Sequence, residues 1–334
     1  MRIVLPACAI IAAIAIICAP ATAEPVKIRA GWIQPVSNIV SILFLKKGIA
    51  RHYGQTYIVE PLRFAGTAPM VTGMAIDEVD VGVLGAAALG LGVLNAGMDD
   101  LRIVADEFQD GVPGYYSNEF MARDDGSIRT IEDVKGKIVA TNSAGGALDV
   151  AMRAVLRQHG LEDKRDYTSI EVPASSKKAI LLEKKADLIS LPLPFSYDAE
   201  LRAHGRVLFT QRDVMGVSSM GFWSARAGFI ARHRAAFVDF LEDALLLTRW
   251  YQNSANHDEA TMIAASYAKT QPSFFSDWIF TRKDYYRDPD LQPNIEALQN
   301  NIDLTAQTGF LPRAFDVRPL VDLSFLEEAR KRLN

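Results

Sequence analysis

Cysteine is almost missing from this chain. The two cysteines, Cys8 and Cys18, both lie in the first 23 residues. Residues 24–334 therefore offer no thiol, which excludes thiol catalysis, iron–sulfur clusters, cysteine zinc sites and disulfides from that part of the protein. Its fold must rest on an ordinary hydrophobic core, and the chain is long enough to bury one.

A basic run is also missing. The 36 lysines and arginines are outnumbered by 40 aspartates and glutamates, for a formal net charge of −4. A mildly acidic chain without a basic patch lacks the electrostatic footprint of a nucleic-acid-binding protein, so we expect no nucleic-acid partner. After residue 23, no apolar segment reaches the roughly 20 residues that a membrane-spanning helix needs.

The first 23 residues have the pattern of a secretory signal peptide. A short positive region at Arg2 precedes an apolar stretch over residues 3–17, and Ala21-Thr22-Ala23 is a small-residue cleavage site. We expect cleavage after Ala23, which would release the mature chain into the periplasm.

Two other interpretations of this stretch fit less well. A membrane anchor needs about 20 apolar residues, whereas this run is shorter and is interrupted by Pro20. A lipid anchor on Cys18 would call for small residues ahead of it, where Ile16 and Ile17 are bulky.

Motifs for metal binding and catalysis are not found either. Each histidine lies in or at the end of a predicted helix rich in charge, and none is paired at metal-ligand spacing. Ser143 lacks the G-x-S-x-G surroundings of a serine nucleophile. We therefore predict a protein that is not an enzyme and that needs no metal or other cofactor. The histidines are His52, His159, His204, His233 and His257.

Strand and helix patterns alternate from Glu24 onward and predict an α/β protein. Four strand–helix units in succession favour a parallel sheet covered by helices. The apolar spacing predicts helices over residues 39–53, 228–252 and 273–280, among others. In such sheets, ligands bind at the carboxyl ends of the strands.

A second run of strand–helix units is flanked by extended segments, which we interpret as crossings between two lobes. Residues 24–115 and 222–334 would form lobe 1, and residues 116–221 would form lobe 2. The two crossings would act as hinges. The pocket would lie between the lobes, as pockets at domain interfaces usually do.

The stretch from Ile131 to Leu156 contains the clearest candidate for a ligand loop. A short buried strand over 137–141 is followed by Asn-Ser-Ala-Gly-Gly at 142–146 and then by a helix. A helix start has unpaired N–H groups and the positive end of the helix dipole, and glycine lets a ligand approach the backbone. This loop could hold a small anion. A capped turn without a ligand is the alternative.

Several segments resemble periplasmic substrate-binding proteins of ABC transporters, in particular the nitrate/sulfonate/taurine branch. LKKGIARHYG at 45–54 is similar to the first helix of that branch, and AGTAPMVTGMAIDEVDVGVLG at 65–85 to its second helix and the following strand. IRTIEDVKGKIVAT at 128–141 resembles the opening of its second lobe, and FIARHRAAFVDFLEDAL at 229–245 its return helix. The resemblance implies a bilobal type II binding-protein fold, with two α/β lobes joined by two extended hinges.

The ligand positions of that family correspond to loops of this chain. Because no arginine is evident beside the loop at 142–146, an anion would be held there by N–H groups and hydroxyls. The resemblance implies ligand contacts at Gln34, Ser37 and Asn38; Gly66 and Thr67; Gly85 and Ala86; Tyr116 and Asn118 near the crossing; Thr141, Asn142, Ser143, Gly145, Gly146 and Ala147; and Pro194 and Phe195 on the lip of lobe 2.

The resemblance further implies a solute receptor that delivers its ligand to an inner-membrane ABC permease. We expect a monomer that binds a small organic anion, such as a sulfonate or a carboxylate. A receptor for nitrate or for a pyrimidine or thiamin precursor remains open, as does a ligand-sensing partner of a membrane receptor. Aromatic residues near the predicted cleft, Tyr115, Phe222 and Trp223 among them, are either core or contacts for an apolar ligand body.

Overall fold

A computed structural model describes residues 24–64 and 66–333, apart from the side chain of Thr67. The predicted signal peptide lies outside the described residues. The strands are β1 (Val26–Trp32), β2 (Tyr57–Arg63), β3 (Val81–Leu84), β4 (Leu101–Asp110), β5 (Glu119–Arg123), β6 (Ile138–Thr141), β7 (Thr168–Glu171), β8 (Leu188–Leu191), β9 (Gly205–Thr210) and β10 (Ser218–Arg226). The α-helices are α1 (Val40–Leu43), α2 (Thr67–Ala75), α3 (Ala86–Gly90), α4 (Ala147–Gln158), α5 (Lys177–Leu182), α6 (Ala199–His204), α7 (Gln211–Met215), α8 (Ala227–Arg232), α9 (Arg234–Gln252), α10 (His257–Ala268), α11 (Ile295–Gln307) and α12 (Ser324–Leu333).

The first lobe is built on a five-stranded sheet with the order β2-β1-β3-β10-β4. Strand β1 pairs in parallel with β2 and β3, whereas β10 lies antiparallel between β3 and β4. The sheet predicted as parallel is therefore mixed, because the chain returns from the second lobe into the middle of the first sheet.

The second lobe repeats this arrangement with the order β7-β6-β8-β5-β9. Here β5, the strand that enters from the first lobe, is the antiparallel one. Strands β1 and β6 hold equivalent places in the two sheets. From β1 the chain goes first to β2 on one side and then to β3 on the other, and from β6 it goes first to β7 and then to β8. Such switch points, at the carboxyl ends of the strands, are where open α/β sheets bind ligands.

Helices cover both faces of the first sheet. Helix α9 packs Phe237, Phe240 and Leu241 into a large cluster on one face, while α2, α3 and α11 bury a second cluster around Met74 and Leu298 on the other. Each such side chain stabilises the fold by roughly 1.5–3 kcal/mol when fully buried. Among the described residues, no helix is long and apolar enough to span a membrane. The two-lobed α/β fold predicted from the sequence is confirmed.

The two crossings between the lobes are tied to each other. The Gln211 N–H donates to the Asn118 carbonyl at 2.7 Å, and Asn118 Nδ2 donates to Gln211 Oε1 at 3.0 Å. Gly111 and Gly216, one on each crossing, have φ of +77° and +65°. A Cβ on Gly111 would lie 2.5 Å from the Gly216 carbonyl oxygen, so only glycine fits there. The crossings thus form one compact pair of connections.

The helix predicted over residues 39–53 is wrong. Helix α1 ends at Leu43, and turns follow it. Gly48 has a φ of +83°, which interrupts helical backbone. The carboxylate of Asp243 accepts the backbone N–H groups of residues 51–53 at 2.6, 2.9 and 3.1 Å. The N–H groups of residues 51–53 therefore have an acceptor on α9, and they need no acceptors from a helix of their own.

Two further predicted helices and the return to the first lobe also differ from the structure. The helix predicted over 228–252 is divided at His233, where φ is −116° and ψ is 31°. Residues 273–280 form no α-helix and contain only the end of a 3₁₀ turn, Pro272–Phe274. Strand β10 joins the first sheet from Ser218, whereas the sequence placed the return to lobe 1 at residue 222.

Candidate functional site

A cavity of about 440 Å³ is lined by residues of both lobes, at the carboxyl ends of β1, β3 and β6. Its volume falls within the range of small-molecule sites. Nine of the seventeen predicted ligand-binding residues line it: Gln34, Asn38, Gly85, Ala86, Asn142, Ser143, Gly145, Gly146 and Ala147.

The other predicted residues take different places around the cavity. Ser37 presents its carbonyl to Arg287 Nη2 at 3.0 Å. Thr141 is buried and holds Asp149 through its hydroxyl at 3.3 Å. Gly66 precedes α2 with an extended backbone. The side chain of Thr67 lies outside the described residues.

Tyr116 and Asn118 belong to the crossings and not to the cavity lining. The Tyr116 hydroxyl donates to the Leu191 carbonyl at 2.9 Å, and Asn118 Oδ1 accepts from the Tyr285 hydroxyl at 2.7 Å. Burial raises the pKa values of both tyrosines, which keeps them neutral donors. These contacts hold the lobes and the crossings together.

Pro194 and Phe195 lie on a separate surface groove. They line it together with Tyr197 of the second lobe and with Phe274 and Trp278 of the first. The structure therefore does not bring the predicted lip to the cavity.

In the first lobe, Asn38 shapes the loop that follows β1. Its Oδ1 accepts the backbone N–H groups of Ile33 and Gln34 at 3.1 and 2.8 Å. Ser41 Oγ accepts from the Val36 N–H at 3.0 Å, which secures the same loop. Asparagine often closes a turn in this way, by capping its own neighbours.

The start of α3 is made of small residues. Gly85 precedes the helix in an extended conformation, and Ala86, Ala87 and Ala88 all line the cavity. Because the first N–H groups of a helix have no acceptor within it, this end presents donors with little side chain in the way.

In the second lobe, Asp149 folds the predicted anion loop around itself. Its carboxylate accepts from the Gly145 N–H at 3.0 Å and from Arg153 Nε at 3.0 Å. Gly145 has a φ of +73°, which favours glycine. The loop then enters α4 so that the N–H groups of Ala147 and Leu148, both in the lining, stand at the helix start.

The charged residues behind this loop were not predicted from the sequence. Asp149 and Arg153 are spaced i, i+4 on α4, which is the usual signal for an ion pair on a helix. Among the described residues, Asp149 is the one charged residue in the cavity lining, and Arg153 pairs with it at 3.0 Å and with Asp163 at 2.8 Å.

Much of the lining that the sequence did not reveal is apolar. It comes from segments distant in the chain, and Phe310 reaches it from the loop after α11. Ser219, which is 2% exposed, has a hydroxyl without a hydrogen-bond partner among the described residues. The added apolar and neutral side chains are Ile33, Val83, Leu84, Leu91, Phe108, Leu148, Val150, Met215, Ser219, Met220, Asn301, Thr305 and Phe310.

One histidine does approach two carboxylates elsewhere on the first lobe. Ligand atoms of His52, Asp239 and Glu242 lie within 4.8 Å of one another. However, Arg332 Nη1 is 2.7 Å from Asp239 Oδ1, and Arg51 Nη1 is 3.4 Å from Glu242 Oε1. The arginines already supply the positive charge, so we interpret the group as an ion-pair network.

The two sheets, their shared topology and the cavity between the lobes define a two-lobed binding-protein fold. Residues 21–265 match the model of the NMT1-like family, which is well over half of the chain. The protein belongs to the NMT1-like family. No curated protein matches the sequence at a significant level.

Solved structures with this fold include receptors and an enzyme. The periplasmic nitrate-binding protein NrtA from Synechocystis PCC 6803 is 16% identical, with a TM-score of 0.71 over 93% of this chain and 90% of that one. The alkanesulfonate-binding protein SsuA from Xanthomonas axonopodis pv. citri, bound to MOPS, is 18% identical, with a TM-score of 0.67 over 90% and 99%. The desulfurization enzyme DSZB is 14% identical, with a TM-score of 0.67 over 92% and 100%.

Proposed function

We propose that this protein is the solute-binding component of an ABC importer and that it binds a small organic anion in the cavity between its lobes. The observation that carries the proposal is the convergence of two helix starts, α3 from the first lobe and α4 from the second, on one cavity. Helix starts favour anions through their free N–H groups and the helix dipole.

The rest of the lining favours an organic ligand over nitrate. A volume of 440 Å³ equals that of roughly 15 water molecules in the liquid, far more than a four-atom anion fills. Apolar side chains from Phe108, Met220 and Phe310 border the cavity. A sulfonate or carboxylate with an apolar body would satisfy both kinds of surface.

The proposed mechanism is closure of the lobes about the two crossings. The ligand would dock on the loops after β1 and β3, and the start of α4 would complete the site from the other lobe. A ligand that contacts both lobes binds the closed form more tightly, and this difference in affinity shifts the population towards closure. The orphan hydroxyl of Ser219 is a further donor for the bound ligand.

The transport role has separate support. The first 23 residues read as a signal peptide, and proteins with this fold include periplasmic receptors and a ligand-binding component of an ABC-type import system from Staphylococcus aureus. We therefore infer a periplasmic monomer that passes its ligand to an inner-membrane permease. A pyrimidine or thiamin-precursor receptor and a ligand-sensing partner are the alternatives.

A panel of matched ligands tests this function. Thermal shift of residues 24–334 would be measured with sulfonates, aliphatic and aromatic carboxylates, nitrate and pyrimidines. A ligand at 100 times its Kd adds about 2.7 kcal/mol of stability, which raises the Tm visibly. Small-angle scattering with the best ligand should show a more compact particle. If pyrimidines alone bind, the proposed anionic ligand is wrong. If the scattering curve at ligand saturation matches that of the empty protein, the proposed closure of the lobes is wrong.

A further inference from the structure

A lysine that pairs with no carboxylate among the described residues is buried at the switch point of the second lobe. Lys177 has no exposed surface. Its Nζ donates to the Ser190 carbonyl at 2.8 Å, to Ser190 Oγ at 2.7 Å and to Asn142 Oδ1. Ser190 lies on β8 and Asn142 follows β6, so the ammonium bridges the carboxyl ends of two neighbouring strands.

This contact fixes the amide of Asn142. In its ammonium form Lys177 can only donate, so the oxygen of the Asn142 amide then faces Lys177. Its Nδ2 donors are thereby turned away from Lys177, on a residue that lines the cavity. This orientation would make the Nδ2 group of Asn142 available to a ligand in the cavity.

The charge of Lys177 has no dedicated counter-ion within the described residues. Asp149 on α4 is the charged group whose field acts on it. The Asp149 carboxylate is hydrogen-bonded to Arg153 at 3.0 Å, and Arg153 also pairs with Asp163 at 2.8 Å, so the two carboxylates share one arginine. The neighbouring Lys178 is directed to Asp198 at the surface, at 2.8 Å. The ammonium itself is contacted by neutral oxygens of Ser190 and Asn142, so an anion bound in the cavity would add a favourable interaction with a buried charge.

We propose that Lys177 makes the cavity selective for anions, by holding the Asn142 amide with its donors towards the ligand and by supplying the buried positive charge that an acidic head group balances. This inference rests on the proposed function and names the residue that sets the ligand's charge. Lys177 acts through the orientation of Asn142 and through the electrostatic field of its own charge, and it is therefore a positioning residue.

Proton uptake is a direct consequence. Burial lowers the pKa of Lys177 to about 7, so the empty protein carries this charge on only part of its molecules near neutral pH. An anion placed near Asn142 favours the ammonium form and raises that pKa. Binding of the anion at pH 7 should therefore take up a fraction of a proton per ligand.

Calorimetry with matched acid and amide ligands tests the inference. The probes are hexanoate with hexanamide, benzoate with benzamide, and hexanesulfonate with hexanesulfonamide, titrated at pH 7 in buffers of different ionisation enthalpy. Wild type should bind an acid more tightly than its amide and take up a fraction of a proton. Lys177→Met should lower the affinity for the acid by about tenfold or more, leave the affinity for the amide unchanged and abolish proton uptake. Lys178→Met, the neighbouring lysine, is the matched control and should behave as wild type.

A second variant covers the case in which Lys177→Met does not fold. Asn142→Asp supplies a built-in carboxylate to the ammonium, and should lower acid affinity and proton uptake while Lys177 remains. The inference is overturned if Lys177→Met binds acids as wild type does, or loses acid and amide equally. If wild type binds neither member of any pair, the proposed function fails as well, which is a different result from normal acid binding in Lys177→Met.

Discussion

Gly145 at the entrance to α4 lies against the ring of Phe310 from the other lobe. A Cβ on Gly145 would be 3.0 Å from Phe310 Cδ1. The same ring has the Arg153 guanidinium 5.2 Å from its centroid, and the adjacent Leu311 packs on Gly90 of α3. The loop after α11 therefore touches both of the helices whose starts line the cavity.

This contact makes Gly145→Ala a test of the site. Alanine at a φ of +73° costs about 1 kcal/mol in backbone strain, and its methyl group must displace Phe310. We expect a lower Tm and ligand binding weakened by about tenfold, measured by calorimetry. Gly160→Ala, at the other end of α4, is the control.

Gly160 has a φ of +75° and open space where its Cβ would lie. Its alanine variant should lose similar stability and bind ligand normally. Equal binding by the two variants would show that the contact between Gly145 and Phe310 does not shape the site.

The crossings give a second prediction. Asn118→Leu would leave the buried Gln211 Oε1 without its donor and the Tyr285 hydroxyl without its acceptor, although that hydroxyl still accepts from the Leu193 N–H at 3.2 Å. Each unsatisfied group costs about 1–3 kcal/mol, so the free energy of unfolding should fall by roughly 2–5 kcal/mol in urea denaturation. Asn300→Leu on the exposed face of α11 is the control, with an expected change within about 0.5 kcal/mol. A similar small change in Asn118→Leu would contradict the network.

Local patterns were enough to predict much of this fold. The alternation of strands and helices and the loop at 142–146 depend on neighbours in sequence, and the structure places that loop in the cavity lining. The insertion of β10 into the first sheet could not be predicted, because strand order depends on where a distant segment returns. For the same reason, Phe310 and Ser219 could not be assigned to the cavity beforehand.

The failed helix over residues 39–53 shows the same limit. Its apolar spacing was helical, but a single buried carboxylate from α9 captures three backbone donors and also the Tyr57 hydroxyl, at 2.8 Å. A contact that spans nearly 200 positions in the chain leaves no local signal. Tertiary hydrogen bonds here override local propensity.

That carboxylate provides a third prediction. Asp243→Ala would remove the hydrogen-bond acceptor of the N–H groups of residues 51–53 and of the buried Tyr57 hydroxyl at the same time. We expect a loss of about 3–5 kcal/mol in the free energy of unfolding, since breaking a buried network is among the most costly changes. Hydrogen exchange of residues 51–53 should accelerate. Asp303→Ala on α11, whose carboxylate accepts one bond from Gln299 at 2.9 Å, is the milder comparison. Unchanged exchange in Asp243→Ala would refute the account of the segment.

The buried lysine predicts how stability depends on pH. Lys177 has a folded pKa of about 7, below the value of about 10.4 expected in the unfolded chain. Between these values the unfolded chain binds more protons, so this residue makes wild type more stable as pH rises through that window. Its burial penalty is complete below pH 7 and disappears towards pH 10.

The Lys177→Met variant lacks this pH-dependent contribution to stability. The stability of the variant minus that of wild type should therefore fall by a few kcal/mol between pH 6.5 and pH 9.5, whatever constant cost the loss of the bonds to Ser190 adds. Urea denaturation at several pH values measures the difference, and Lys178→Met should show no such slope. A flat difference for Lys177→Met would mean that burial does not destabilise the ammonium, and that an anion in the cavity would have nothing to gain by stabilising it.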